Sequence, residues 1–152
     1  MPITARLYRS SLRLIYCSSL WSLITIVAEC VEPLRAYADW VNVGSKIERG
    51  LTVYTAYLDS DSIRRKGNVV TLWALFDYRT IQSIVGGPWL SSKTRRQYDC
   101  LEETVQLLGY MTFTGNMGSG EAVYSNSEQS QWEPITPDSI DQKVWDIVCN
   151  RL

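Results

Sequence analysis

The chain has 152 residues, 45% of them hydrophobic, with 15 Lys and Arg against 16 Asp and Glu. That length builds one domain with a modest core, and the near balance of charge excludes the strong positive field that draws a protein to nucleic acid. Histidine is absent, which removes Ser-His-Asp triads, Cys-His pairs, HExxH zinc sites and imidazole acid-base chemistry together.

The first 38 residues form a segment of their own. Arg6, Arg9 and Arg13 give a positive start, and residues 14–28 carry no charge. As a helix that run spans roughly 22 Å, short of the ~30 Å hydrocarbon core, and Ser18, Ser19, Ser22 and Thr25 dilute it. A signal peptide fits better than a permanent span. Ala36-Tyr37-Ala38 supplies the small-x-small pattern of a cleavage site, which would leave Asp39 as the mature N-terminus. The chain then divides into a signal-peptide-like segment, 1–38, and a domain, 39–152. Lipidation at Cys30 is an alternative, although Glu29 stands where a lipoprotein site wants a small residue. An uncleaved anchor and a true start further downstream also remain open. Without the four Arg and two Glu of this segment, the remainder holds 11 basic and 14 acidic residues.

Cleavage after Ala38 would remove Cys17 and Cys30 and leave Cys100 and Cys149. An even pair in an oxidising compartment is expected to be joined. Closing a loop of about 50 residues would restrict the unfolded chain by roughly 4 kcal/mol. The alternative is two unrelated buried thiols.

Beyond Asp39 the pattern is strand-like, opening with Trp40, Val41 and Val43. Residues 51–58 are rich in Thr, Val and Tyr and alternate in the manner of a strand partly covered on both faces. Arg64-Arg65-Lys66 leads into the turn dipeptide Gly67-Asn68, and residues 69–78 follow as the strongest strand, so a hairpin is expected here. Gly86-Gly87-Pro88 breaks residues 79–92, which read as a loop or a bulged edge. Strand character resumes over 94–101 and 104–114, with Glu102-Glu103 as a solvated turn between them. Residues 115–120 read as a flexible loop and 121–125 as a short strand.

At the C-terminus the period changes to helical. Thr136 reads as the N-cap, Pro137 as the first helical residue and Asp138 as a first-turn acid. Ile140, Val144, Ile147 and Val148 share one face, which Trp145, Cys149 and Leu152 continue, while Ser139, Gln142, Lys143, Asp146 and Asn150 lie opposite. Such a helix needs a surface to cover. A sheet face that includes Cys100 is the obvious one, which makes the fold α+β.

Few residues point to chemistry. Cys-x-x-Cys, GxxxxGK and GxGxxG are all absent. Asp59-Ser60-Asp61-Ser62 resembles the start of a calcium loop, but Ile63 and Arg64 fall where a further ligand and a glycine belong. Glu102-Glu103 is a poor pair for glycoside chemistry, because neighbouring residues point apart. Arg64, Arg65, Lys66, Arg95 and Arg96 have two readings. They form a basic patch for an acidic partner or a sulfated glycan, or they protect a hairpin end and an edge strand from further pairing. Six Trp and nine Tyr are many for this length, and aromatic residues favour binding surfaces. Trp73 and Trp145 are nevertheless expected in the core.

Four blocks resemble one family. They are SIRRKGNVVTLWALFDY (62–78), LSSKTRRQYDC (90–100), GNMGSG (115–120) and WEPITPDSIDQKVWDIVC (132–149). In their order, and in the spacing from Tyr-Asp-Cys to Trp-x-x-Val-Cys, they resemble the surface-adhesin protein E-like domain. The resemblance implies an antiparallel sheet of about six strands with a C-terminal helix on its concave face. It also implies a disulfide from sheet to helix that maps onto Cys100 and Cys149.

The function implied is that of an exported, non-enzymatic binding module without cofactor or metal. The location would be the periplasm, outer membrane or surface of a Gram-negative cell. Its partners would be proteins, including host matrix or plasma proteins, with no nucleic acid, and the state a homodimer. Candidate contacts are Arg64, Arg65, Lys66, Arg95, Arg96, Asn116 and Met117. The alternatives are a structural envelope subunit and, behind it, a small-ligand carrier or enzyme with a pocket between sheet and helix.

Overall fold

The computed structural model describes residues 39–83 and 86–150. The signal-like segment with Cys17 and Cys30 lies outside the described residues, as does Leu152. Six strands make the main sheet, all antiparallel, in the order β1 (Trp40–Glu48), β2 (Leu51–Asp59), β4 (Val69–Ser83), β5 (Pro88–Asp99), β6 (Thr104–Phe113) and β7 (Ala122–Asn126). Two short strands complete it. β3 (Arg64–Lys66) pairs with β4, and β8 (Glu133–Pro134) pairs with β6. One helix, α1 (Ile140–Cys149), follows.

The expected hairpin is present. Gly67 takes φ +60 in the turn, and Arg64, Arg65 and Lys66 face Thr71, Val70 and Val69. The stretch 79–92 is more ordered than its glycines suggest. β4 runs on to Ser83 and β5 starts at Pro88, the first position of a strand, where a missing N–H is tolerated. The irregularity expected there lies between Asp77 and Gln82, where the register shifts.

Alternation decides which residues meet the helix. On β4, Val70, Leu72, Ala74 and Phe76 point to one face. They join Ala56 and Leu58 of β2, Tyr98 of β5, and Val144, Val148 and Cys149 of α1 in the core. Burying each large side chain there is worth about 1.5–3 kcal/mol. Trp145 packs against this cluster, as expected. Trp73 does not. It is half-buried on the opposite face, because it is one residue out of phase with Leu72 and Ala74.

The helix starts later than Thr136-Pro137-Asp138 suggests. Ser139 is the N-cap, and its hydroxyl accepts the Gln142 N–H at 3.1 Å. Asp138 takes φ +61, and Ser139 N–H donates to the Thr136 carbonyl at 3.3 Å, closing a turn ahead of the helix. A left-handed residue cannot belong to a right-handed first turn.

Five contacts seat α1 on the sheet. Asp141 in the first turn accepts from Arg96 Nη1 at 2.6 Å and from the Tyr98 hydroxyl at 2.8 Å. Trp145 Nε1 donates to the Asp99 carbonyl at 3.3 Å. Arg65 Nη2 donates to the Val148 carbonyl at 2.8 Å, placing a cation at a helix C-terminus that has no basic residue of its own in its last turn. Cys100 and Cys149 are joined by a disulfide with Cα atoms 5.4 Å apart.

Candidate functional site

The two basic clusters are each split by strand alternation. Arg65 faces Val70 and Arg96 faces Leu72, residues of the helix side. Arg64 faces Thr71 and Arg95 faces Trp73, on the open side. Arg65 and Arg96 are therefore taken up in holding the helix. Arg96 keeps only 20% of its side-chain area exposed and lies 5.1 Å from the Phe76 ring centre. Burial alone would lower the Arg96 pKa, but the Asp141 carboxylate raises it. Tyr98 is held well above the ordinary phenol range, first by burial and then by the Asp141 charge. Of the seven candidate contacts, these two belong to the core side.

Asn116 and Met117 are also committed to the fold. The loop expected to be flexible forms a single 3₁₀ turn, Asn116–Gly118, laid against β4 and β5. Asp77 Oδ1 accepts from Met117 N–H at 2.7 Å and from Asn116 Nδ2 at 3.1 Å. Ser91 Oγ accepts from Gly118 N–H at 2.8 Å and donates to the Gly115 carbonyl at 2.5 Å. Gly118 sits at φ +71, a left-handed conformation that favours glycine, and a Cβ there would displace the end of the Lys93 side chain. The Met117 side chain is left 39% exposed.

Lys66 is exposed at the hairpin end. Arg64 and Arg95 remain, and the structure brings them together. Both line a groove of about 370 Å³ with Ser62, Thr71, Leu72 and Trp73. The groove has a local cause. β2 pairs with β4 only from Leu58↔Ala74 onward, and β3 pairs only up to Arg64↔Thr71. The 3₁₀ turn Ser60–Ser62 fills the jog, and the Ser62 hydroxyl accepts the Trp73 N–H at 2.8 Å in place of a strand partner. The residues once compared with a calcium loop thus make this turn, with Asp59 Oδ1 accepting from Asp61 N–H at 3.1 Å.

A second break lies on the other side of the same pair. β8 pairs with Thr104 and Val105, and β7 with residues from Tyr110 onward. Between them Ser130 satisfies the Leu107 N–H at 3.1 Å and the Leu107 carbonyl at 2.9 Å. A smaller depression of about 180 Å³ opens there, lined by Trp73, Arg95, Gly109, Tyr110, Ser125 and Asn126 among others. Trp73 and Arg95, directly opposed across β4 and β5, are shared by both depressions.

The Arg95 side chain is exposed, and its guanidinium makes no hydrogen bond or ion pair with any described residue. Arg64 uses only Nη1, toward the Asp61 and Ile63 carbonyls at 2.7 and 2.8 Å. Among the described residues, no group of three or more His, Cys, Asp and Glu is placed to hold a metal ion. No helix among them is long and apolar enough to cross a membrane. Of the candidates named from the sequence, the groove brings together Arg64 and Arg95, and it adds Trp73 and Ser62, which the sequence did not single out as contacts.

The fold is an α+β domain in which one face of an antiparallel sheet is closed by a disulfide-tethered helix and the other carries the aromatic and basic groove. The chain belongs to the surface-adhesin protein E family, whose model matches residues 40–150. Among solved structures, crystal form II of Haemophilus influenzae protein E is similar. It is 14% identical at a TM-score of 0.55, over 74% of this chain and 97% of that chain. Protein E from non-typeable Haemophilus influenzae is also similar, at 14% identity and a TM-score of 0.56, over 78% of this chain and 80% of that one. At that identity the likeness concerns the fold alone. No curated protein sequence matches the chain.

Proposed function

We propose that this protein is an exported, non-enzymatic binding module of the Gram-negative envelope that engages protein partners, host matrix or plasma proteins among them, as a homodimer. One observation carries the reading. The face left open by α1 presents Trp73 beside two guanidinium groups, Arg64 and Arg95, that have donors to spare. Trp and Arg are the residues most often found to dominate binding energy at protein interfaces. Family membership supports the adhesin class, and the segment 1–38 supports export.

The full chain is to be expressed in a Gram-negative host and the exported protein passed over a panel of immobilised matrix and plasma proteins. Saturable binding that the double variant Trp73→Ala, Arg95→Gln weakens at least tenfold supports the reading. Absence of binding across the panel, at low and physiological salt, contradicts it. The mass of the recovered protein reports cleavage before Asp39 or lipid on Cys30, and light scattering reports the dimer.

A structural envelope subunit is the second reading. Strand β1 lies at a sheet edge, where Val41 and Ile47 are 42% and 64% exposed, and Leu51 beside it is 74% exposed. Stable self-association without binding to any panel member favours that role.

A further inference from the structure

We propose that the groove centred on Trp73 takes an anionic polysaccharide, one sugar ring lying on the indole with sulfate or carboxylate groups on Arg64 and Arg95. The inference rests on the adhesin reading and names the chemistry that its open face recognises.

The shape argues first. The half-buried Trp73 lines two depressions, each opened by a break in strand pairing, so two seats adjoin one indole. A linear sugar chain needs that arrangement, with one ring on an aromatic face and its neighbours in flanking seats. The strand edges that would recruit a peptide by backbone pairing are filled at these points by Ser62 and Ser130.

The lining argues second. One seat carries Arg64 and Arg95 with the hydroxyl-bearing Ser62 and Thr71. The other carries Ser125, Asn126, Ser127 and Tyr110 beside the apolar Leu108 and Met111. Guanidinium forks match the oxygens of a sulfate or carboxylate, and neutral hydroxyl and amide groups match sugar hydroxyls. The apolar face of an indole suits the C–H face of a pyranose.

The overall charge confines recognition to contact range. Beyond residue 38 acidic residues outnumber basic ones, 14 to 11. No polyanion, sugar or nucleic acid, is therefore drawn in from a distance. Two local cations and a stacked ring select a short segment at contact range.

The test uses the full-length exported protein and four probes, namely a heparin-derived octasaccharide, a hyaluronan octasaccharide, poly-glutamate of similar charge and an eight-nucleotide single-stranded DNA. Binding is followed by calorimetry and by Trp fluorescence in about 50 mM and 300 mM salt, conditions that differ strongly in screening. One or both oligosaccharides are expected to bind, more weakly at high salt. Comparison of the two separates sulfate from carboxylate recognition. Trp73→Ala and Arg95→Gln should each weaken binding at least tenfold, whereas Arg79→Gln, an exposed cation at the far end of β4, should change it less than twofold. Circular dichroism and a thermal melt confirm that each variant is folded, and Trp73→Phe, which keeps an aromatic face, should recover most of the binding. The proposal is overturned if neither oligosaccharide binds, if Arg79→Gln weakens binding as much as Arg95→Gln, or if poly-glutamate or DNA binds more tightly than both sugars. Binding to matrix proteins stripped of their glycans, with both sugar probes silent, would overturn it while leaving the adhesin reading intact.

Discussion

Arg95 and Arg96 are adjacent in β5 and serve opposite faces of the sheet. Arg96 reaches Asp141 of the helix at 2.6 Å, and Arg95 lines the groove beside Trp73 without a partner among the described residues. The same division separates Arg64 from Arg65 on β3. Stability and recognition should therefore respond to different members of each pair.

Replacing Arg96 by Gln leaves Asp141 with the Tyr98 hydroxyl alone in a mostly buried setting. A loss of about 2–3 kcal/mol is expected. Arg65→Gln, which removes the helix C-terminal donor, should cost about 1 kcal/mol. Arg95→Gln should change stability by less than about 0.5 kcal/mol. Urea denaturation of the three variants checks the ranking, and an Arg96/Asp141 double-mutant cycle isolates the coupling between those two residues.

The disulfide ties the last turn of α1 to the end of β5. Breaking it with the Cys100→Ser, Cys149→Ser pair, or with a reductant, should lower stability by about 2–4 kcal/mol. The denaturation midpoint of the reduced protein reports this. An unchanged midpoint would mean that Arg65, Asp141 and Trp145 hold the helix unaided.

Alkaline stability follows from Tyr98, whose folded pKa is raised by burial and by Asp141. Below the ordinary phenol pKa of about 10, the folded and unfolded states both keep the proton, so this contribution is fully present. Above it the unfolded chain loses the proton first, and stability falls until pH passes the folded value. Tyr54 and Tyr78, also raised by burial, add in the same direction. Tyr98→Phe should be less stable by about 1 kcal/mol near neutrality and should show a shallower loss above pH 10. Equal slopes for the two proteins in a pH series of urea melts would count against the burial of Tyr98.

Asp77 pins the turn Asn116–Gly118. Asp77→Ala should cost about 1 kcal/mol, because the Met117 N–H loses its acceptor and the Asn116 amide keeps only the Tyr78 carbonyl at 3.2 Å. Hydrogen exchange at Met117 should accelerate well beyond that at β4 amides. Protection that is unchanged would show the turn to be held by Ser91 and the Tyr78 carbonyl without Asp77.

Much of the fold is legible in local pattern. Residues 69–78 form a run rich in β-branched and aromatic side chains, Gly67-Asn68 marks the hairpin, and the C-terminal apolar spacing marks the helix. The helix start is misread because Thr136-Pro137 imitates a cap, while Ser139 with Gln142 three residues on is the capping pattern that the structure uses. Asp141 carries no local signal at all. Its partners Arg96 and Tyr98 lie 45 and 43 positions away, and only the packing of α1 brings them together. The candidate site is half legible for a similar reason. Alternation alone predicts that Arg64 and Arg65 part company, as do Arg95 and Arg96, but which face the helix covers is a tertiary fact. Trp73 joins the site only because Ser62 fills a break in strand pairing.

The most direct test of the open face as the recognition surface is a paired measurement on Arg95→Gln and Arg65→Gln. Each variant is assayed for urea stability and for binding to the partner panel at temperatures where it is fully folded. Arg95→Gln should bind at least tenfold more weakly at unchanged stability, and Arg65→Gln should be less stable at unchanged affinity. The opposite assignment, with Arg65→Gln losing binding and Arg95→Gln keeping it, would place recognition on the helix side and contradict the division made here.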